Sequence, residues 1–298
     1  MLLLGLIAFT VYTVVALEKV ERLERKTVNR VLILSAVGIA ALYFSAAFFD
    51  SLFHSIANGR LTLGGITWLG GVIAAFPVMI LLLHFFCPAC KGNELYVFGL
   101  TVPGIALAHG FGRIGCFLGG CCYGKPTDSI FGVVFPKGSL AANQYPTASG
   151  ESLPVLPTQL FEAIFELLLF SAMLIFYKKL KRYFAATYCV SYGVFRFIIE
   201  FFRGDSRGST GFFLTPSQLI SLILIALGVL AILFTKGTVF KKLAEKCEKW
   251  QLDANQEPKK QDKNTSLDLV RELHSLYTDG IITKEEFEQK KKDILSRL

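Results

Sequence analysis

Charge is scarce in this sequence. Asp, Glu, Lys and Arg make up 18% of its 298 residues, against 53% hydrophobic, where a soluble domain carries about 25% charged residues. An ordinary soluble globular class is thereby excluded. The charge present nets +8 at neutral pH, yet the Lys and Arg form no broad basic face and gather instead in short segments between apolar runs. That pattern excludes nucleic-acid binding and is how membrane topology is written. Cysteine is sparse too: seven scattered residues are too few for a disulfide scaffold. Finally, no positive residue precedes the first apolar run, Met1 to Leu17, whereas Glu18, Lys19, Glu21, Arg22, Arg25 and Lys26 follow it. A secretory signal carries its positive region first, so this run is read as a retained first span.

What is present is a series of apolar runs, roughly at 1–17, 31–49, 65–86, 95–119, 159–177, 184–202 and 216–234. Each is near the ~20 residues that cross a ~30 Å hydrocarbon core as a helix. The fold class expected is all-α, a polytopic membrane protein of seven transmembrane helices. With the N-terminus outside, the outer segments carry Arg60, Lys125, Lys137, Arg203 and Arg207. The inner loops then carry Lys19, Arg22, Arg25, Lys26 and Arg30, Lys91, and Lys178, Lys179, Lys181 and Arg182, with a Lys-rich tail from Lys236. Positive residues stay cytoplasmic, so the chain is expected to run N-out and C-in. The longest connection, 120–158, is then external. Pro126, Pro136, Pro146, Pro154 and Pro157 prevent it from being one continuous helix, and a loop of that length is functional or disordered.

Beyond the spanning region, 1–235, a charged stretch over 236–265 reads as a helical extension fraying into a linker. Residues 266–298 regain helical periodicity. Leu269, Leu273 and Leu276 form a stripe, Asp279-Gly280 a turn, and Thr265 with Asp268 and Thr283 with Glu286 have capping-box spacing. Through Leu273-His274 and the run Gly280 to Phe287 this hairpin resembles the SHOCT domain, a short C-terminal module of oligomerisation or interaction type. That implies self-association or a protein partner through 266–298, and no catalysis.

Polar residues inside apolar spans are costly and therefore informative. Arg113 lies about two turns inside the outer end of the fourth span. Arg196, Glu200 and Arg203 follow at spacings of three to four in the sixth, which places them on one helix face. Asp50 and His54 close the second span, and Gly64-Gly65 and Gly70-Gly71 open the third. All fall in one leaflet. Mutual pairing or snorkelling would account for Arg203 at the span's end. Arg113 sits instead in Gly110-Phe111-Gly112-Arg113-Ile114-Gly115, where small residues let a ligand approach the backbone. A guanidinium there suits a phosphodiester headgroup.

Gly112-Arg113-Ile114-Gly115, with Phe117 and Tyr123-Gly124, resembles the signature G-R-x-G-N-F-x-N-x-E-x-x-G of the prolipoprotein diacylglyceryl transferase family. Gly70-Gly71-Val72-Ile73 is similar to that family's H-G-G-L-I-G segment, and Pro157 to Glu162 to its H-P-T-Q-L-Y-E segment. Arg196 to Arg203 resembles its R-F-x-x-E-x-x-R run, with Ser217-Gln218 at the last span. The resemblance covers roughly 1–235. It implies transfer of a diacylglyceryl group from phosphatidylglycerol to the lipobox cysteine of a preprolipoprotein, in a bacterial inner membrane, with no metal or cofactor. It also implies phospholipid binding through Arg113, Gly70, Gly71, Arg196 and Glu200, and stabilisation of the leaving phosphate by Arg113 and Arg203.

The departures are specific. The family's His before Gly-Gly is Leu69, and the His before Pro157 is Leu156. Within the signature, Cys116 and Gly119 replace the two Asn and Cys121 replaces the acidic residue. His109, one turn before Arg113, reads either as a replacement base, since imidazole titrates near neutrality, or as a helix-interface histidine. Cys116, Cys121 and Cys122 read as packing residues, as a disulfide, or as a thiolate acidified by Arg113. Zinc would need a fourth ligand, which His109 could supply, but the spacing is not a known zinc pattern, so no metal is expected. Cys87-Pro88-Ala89-Cys90 reads as a reduced, inert pair. With these positions changed, the same lipid could serve another acceptor, or the chain could be a non-catalytic assembly or sensing protein.

Overall fold

An apolar run in a bilayer must satisfy its own backbone hydrogen bonds, and a helix does so within one segment. The computed structural model describes residues 1–61, 63, 68–205, 213–236, 273–279 and 283–296, and among these there are helices and no strand. In chain order they are α1 (Leu2–Val14), α2 (Arg25–Asn58), α3 (Trp68–Phe86), α4 (Glu94–Leu118), α5 (Leu140–Gln144), α6 (Thr158–Ile175), α7 (Tyr177–Leu180), α8 (Phe184–Ile199), α9 (Pro216–Lys236) and α10 (Lys284–Ser296). Among the described residues, six segments are long and apolar enough to cross a membrane: Leu2–Val20, Arg25–Asn58, Glu94–Leu118, Thr158–Ile175, Tyr177–Phe202 and Pro216–Leu233. The apolar part of α3, Gly70–Phe86, is shorter. The expected Gly64-Gly65 pair, Arg207, the linker over 237–265 and the Gly280-Ile281-Ile282 turn lie outside the described residues.

Residue types are distributed inside out. Leu2, Leu6, Ile33, Phe44, Leu168 and Ile175 face outward, while Asp50, His109, Arg113, Glu162, Glu166 and Arg196 are buried. Water would reverse this order; lipid permits it. Small residues set the closest approaches. A Cβ on Gly193 of α8 would come 2.7 Å from Ile225 of α9, and one on Gly5 of α1 would come 2.9 Å from the Ala108 carbonyl of α4, as close helix pairing in membranes requires. Val102 and Ala106 of α4, Leu169 and Met173 of α6, Tyr192 of α8 and Leu224 of α9 then close one core.

Glu21 fixes the far end of this bundle. It follows the single π turn Val15–Val20 and accepts from Tyr96 Oη (3.1 Å), Tyr177 Oη (2.8 Å) and Lys181 Nζ (3.1 Å), joining α1, α4 and the α7 turn. At the other end the 120–158 connection is an ordered cap. Isolated bridges pair Gly124 with Arg203 and Val133 with Val155, and Tyr123, Phe135, Ala141 and Val155 form its small core.

α2 runs unbroken for 34 residues, about 51 Å, so the second span continues through Asp50 and His54 rather than closing there. The single helix face expected for Arg196, Glu200 and Arg203 is interrupted. α8 ends at Ile199, Glu200–Phe202 is a 3-10 turn, and Arg203 is extended because it pairs with Gly124 of the cap.

The chain divides into two compact units, Met1–Cys247 and Glu248–Leu298. In the second, residues 273–278 are helical, and Thr283 and Glu286 form the reciprocal cap of α10: Thr283 N donates to Glu286 Oε2 (2.9 Å) and Glu286 N to Thr283 Oγ1 (3.3 Å). Tyr277 stacks on Phe287 with ring centroids 5.1 Å apart.

Candidate functional site

A cavity of about 520 Å³ lies within the first unit and follows α4 from Thr101 to Cys116, a rise of about 22 Å. Leu6, Phe9, Leu42, Val72, Phe76 and Ile105 make much of its wall apolar. Its ionisable side chains His109, Arg113 and Arg196 come from the C-terminal part of α4 and from α8; Cys116, Cys122, Ser217 and Tyr188 add polar atoms, as do Ser35 of α2 and Thr101 of α4.

Glu162 is the hub of the charged end. It sits on the first turns of α6, fully buried, and one oxygen, Oε1, accepts from Tyr192 Oη (2.8 Å) and forms an ion pair with Arg113, 2.8 Å from Nη2. Arg196 and Arg203 lie within its electrostatic reach. One turn further along α6, Glu166 accepts from His109 Nδ1 at 2.7 Å, with Tyr188 Oη 3.3 Å away. The other ring nitrogen, Nε2, lies 3.8 Å from Glu162 Oε1.

Arg196 and Arg203 are held by side chains around them. Arg196 donates through Nη2 to Ser217 Oγ (3.0 Å), and its Nη1 stands 2.7 Å from Glu200 Oε2. Glu200 is held in turn by Thr215 Oγ1 at 2.9 Å. Arg203 makes a bidentate pair with Asp205 (2.9 and 2.7 Å), and its Nε is 4.0 Å from Glu200. Among the described residues, Arg113 Nε and Arg203 Nη1 remain buried N–H donors without a partner. Such groups mark a place where water or a ligand is expected.

The sequence-derived residues therefore separate. Arg113, Arg196, His109, Cys116 and Cys122 line the cavity. Arg203 does not; it lies within electrostatic reach of Cys122 and of Arg113. Glu200 supports Arg196. Gly70 and Gly71 are outside the cavity lining and pack against α2, where a Cβ would come 2.6 Å from Phe49 Cβ or 2.7 Å from the Leu42 carbonyl. Of the glycines flanking Arg113, Gly110 faces Leu167 of α6 and Gly115 faces Met1. Gly112 alone of the three has open space in front of it, on the cavity wall.

The three cysteines are thiols, not a disulfide, and their sulfurs lie within 4.8 Å of one another. Their turn is built by the Pro157-Thr158-Gln159 segment: Gln159 Nε2 donates to the Cys121 carbonyl (2.7 Å) and Thr158 Oγ1 to the Cys122 carbonyl (2.9 Å). Hydrogen bonding with the Cys116 and Cys122 side chains, with burial, pushes the Cys121 thiol up from its ordinary range. Elsewhere, Cys87 and Cys90 are buried with sulfurs 2.8 Å apart, and the Cys90 hydrogen bond brings Cys87 down to about 7.

Glu162 and Glu166 are buried charged residues of this site to which the sequence reading gives no role. Their signal is a pair of carboxylates four apart inside an apolar helix.

An all-helical bundle, apolar outward, with buried arginines and carboxylates at one end of an apolar cavity, defines an integral membrane protein with a charged site inside it. The sequence pattern of prolipoprotein diacylglyceryl transferases matches residues 1–234, and the chain belongs to that family. The pattern of the short C-terminal domain matches 268–295. The chain is 42% identical over 159 residues to phosphatidylglycerol–prolipoprotein diacylglyceryl transferase 2 of Clostridium perfringens, covering 52% of this chain and 58% of that protein. It is 38% identical over 181 residues to the Clostridium tetani transferase (60% and 65%) and 33% identical over 180 residues to that of Dehalococcoides mccartyi (59% and 64%). The matches thus span less than two thirds of these relatives' length.

Proposed function

We propose that this protein transfers the diacylglyceryl group of phosphatidylglycerol to the lipobox cysteine thiol of a preprolipoprotein, at the outer leaflet of a bacterial inner membrane. α3 completes seven spans, since the largely apolar helix Gly70–Phe86 reaches the lower limit for crossing, about 17 residues, when flanking residues continue it. The chain then runs N-out and C-in, and the tail serves self-association or a partner in the cytoplasm.

The observation that carries this reading is Arg113 at the polar end of a long apolar cavity, clamped by Glu162 through Nη2 and still holding a buried N–H. Acyl chains suit the apolar wall and the phosphodiester suits the guanidiniums. Arg113 and Arg196 hold the phosphate oxygens, and Arg203, fixed by Asp205, adds positive field within reach of Cys122. Charge develops on the phosphate as the glyceryl carbon–oxygen bond breaks, and donors already oriented by carboxylates stabilise it without reorganising. His109, with Nδ1 held by Glu166, presents Nε2 as the proton acceptor for the incoming thiol, as an oriented imidazole does in other acid–base sites. The names of the relatives support the lipid and the acceptor.

The test is transfer from radiolabelled phosphatidylglycerol to a preprolipoprotein by the purified protein, with Arg113→Ala beside it. Transfer is expected, with a loss of about 100-fold or more in the variant. No transfer to that substrate would overturn the assigned acceptor; undiminished turnover in Arg113→Ala would overturn the assigned site.

A further inference from the structure

Three sulfurs meet where α4 gives way to the cap. Those of Cys116, Cys121 and Cys122 lie within 4.8 Å of one another, and tetrahedral zinc with bonds of about 2.3 Å would hold them about 3.8 Å apart. The arrangement is built. Cys122 has φ +62°, a left-handed backbone that non-glycine residues seldom adopt, and Gly120 before it has the same φ. A Cβ on Gly120 would also come 2.8 Å from Ser139 Cβ. Buried Gln159 and Thr158 hold the carbonyls of Cys121 and Cys122, and Cys121 N donates to the Cys116 carbonyl at 3.1 Å. The turn is thus fixed from two sides with its sulfurs converging.

None of the three is a core cysteine; each is partly exposed, and Cys116 and Cys122 line the cavity beside Arg113. Among the described residues, no fourth His, Cys, Asp or Glu joins the group. His109 is turned to Glu166 and starts seven residues earlier on α4, about 10 Å along the axis. Three fixed protein ligands with the remaining direction toward a cavity is the pattern of a zinc site that binds a fourth ligand from outside. Three thiolates on Zn²⁺ leave a net charge of −1, and both Arg113 and Arg203 lie within electrostatic reach of Cys122 to offset it.

We propose that Cys116, Cys121 and Cys122 bind Zn²⁺ and that its fourth position takes the cysteine thiol of the acceptor polypeptide. This rests on the transferase reading. A thiol bound to zinc is deprotonated outright, so the proton passes to His109 through cavity water. The zinc-bound sulfur then attacks the glyceryl CH2 carbon of the lipid. One S–C bond forms, one C–O bond breaks, and that electron pair leaves on the phosphate oxygen of glycerol phosphate, held by Arg113 and Arg196. His109 returns its proton to water. No electron is gained or lost.

The experiment uses the full chain in micelles, purified under reducing conditions, stripped of metal and reloaded with Zn²⁺ or Co²⁺. About one ion per chain is expected by elemental analysis. The Co²⁺ form should show thiolate charge-transfer and tetrahedral d–d absorption, and a lipobox peptide should shift both bands, whereas the same peptide with Ser for Cys should not. Cys116→Ser, Cys121→Ser and Cys122→Ser should each weaken binding by about 100-fold or more, beyond what outer-shell changes cost. Absence of stoichiometric metal in the unsubstituted protein, metal retained by all three variants, or a native disulfide mapped within the cluster would overturn the site. Transfer from labelled phosphatidylglycerol, measured on the same samples, separates the two readings. Transfer undiminished after metal removal would overturn the zinc role alone. A peptide-sensitive metal site without any transfer would overturn the transferase reading instead.

Discussion

Glu162 forms an ion pair with Arg113 and accepts a hydrogen bond from Tyr192 through the same oxygen, deep in the bundle. Removing its charge strands a buried guanidinium, which in proteins costs about 3–5 kcal/mol. Glu166 differs: its chief partner is His109, and an amide in its place can still accept that bond, so the loss is about 1 kcal/mol. Thermal unfolding in micelles should therefore fall clearly for Glu162→Gln and only slightly for Glu166→Gln, with the opposite order telling against the hub. Arg113, Arg196 and Glu200 were legible in the sequence because each is a charge inside an apolar run. Glu162 and Glu166 carry the same signal, yet Glu162 is absorbed into the Pro157–Glu162 motif and Glu166 stands among leucines and phenylalanines. Gly70 and Gly71 carry a family motif too, but a glycine's motif does not distinguish an open wall from a tight helix crossing.

α8 and α9 meet through Gly193, whose added side chain would strike Ile225 and the Ser221 carbonyl. Their approach also brings Ser217 to Arg196 and Thr215 to Glu200. Gly193→Leu is expected to destabilise by about 1–3 kcal/mol through overpacking and to reduce transfer by releasing Arg196. Stability lost with transfer unchanged would show that Arg196 needs no support from α9. The spans were readable because twenty apolar residues have one solution in lipid. The cap was not, since it is held by contacts between residues far apart in sequence, Gly124 with Arg203 among them. The same pairing ends the sixth span's helix three residues early, which periodicity alone does not reveal.

For the whole molecule, the outward apolar surface and the clustering of Lys and Arg at one end make a topological prediction. Lys137 in the cap and Lys179 in the α7 turn are both exposed. In intact cells Lys137→Cys should react with a membrane-impermeant maleimide, above the labelling of the unsubstituted protein, and Lys179→Cys only after permeabilisation. The reverse result would invert the proposed orientation and place the charged site on the inner face.

The cap is joined to the end of α8 in both directions: Lys125 N donates to the Phe202 carbonyl at 2.8 Å, and Gly204 N to the Tyr123 carbonyl at 3.1 Å. These two bonds make one bridge, which ties the start of the cap to the turn after α8. If the proposed reaction takes place beneath the cap and the bridge holds, the newly greased protein must slip out edgewise between helices, its two tails already among the neighbouring lipids. Departure would then be a matter of lateral diffusion, slower in a stiffer bilayer.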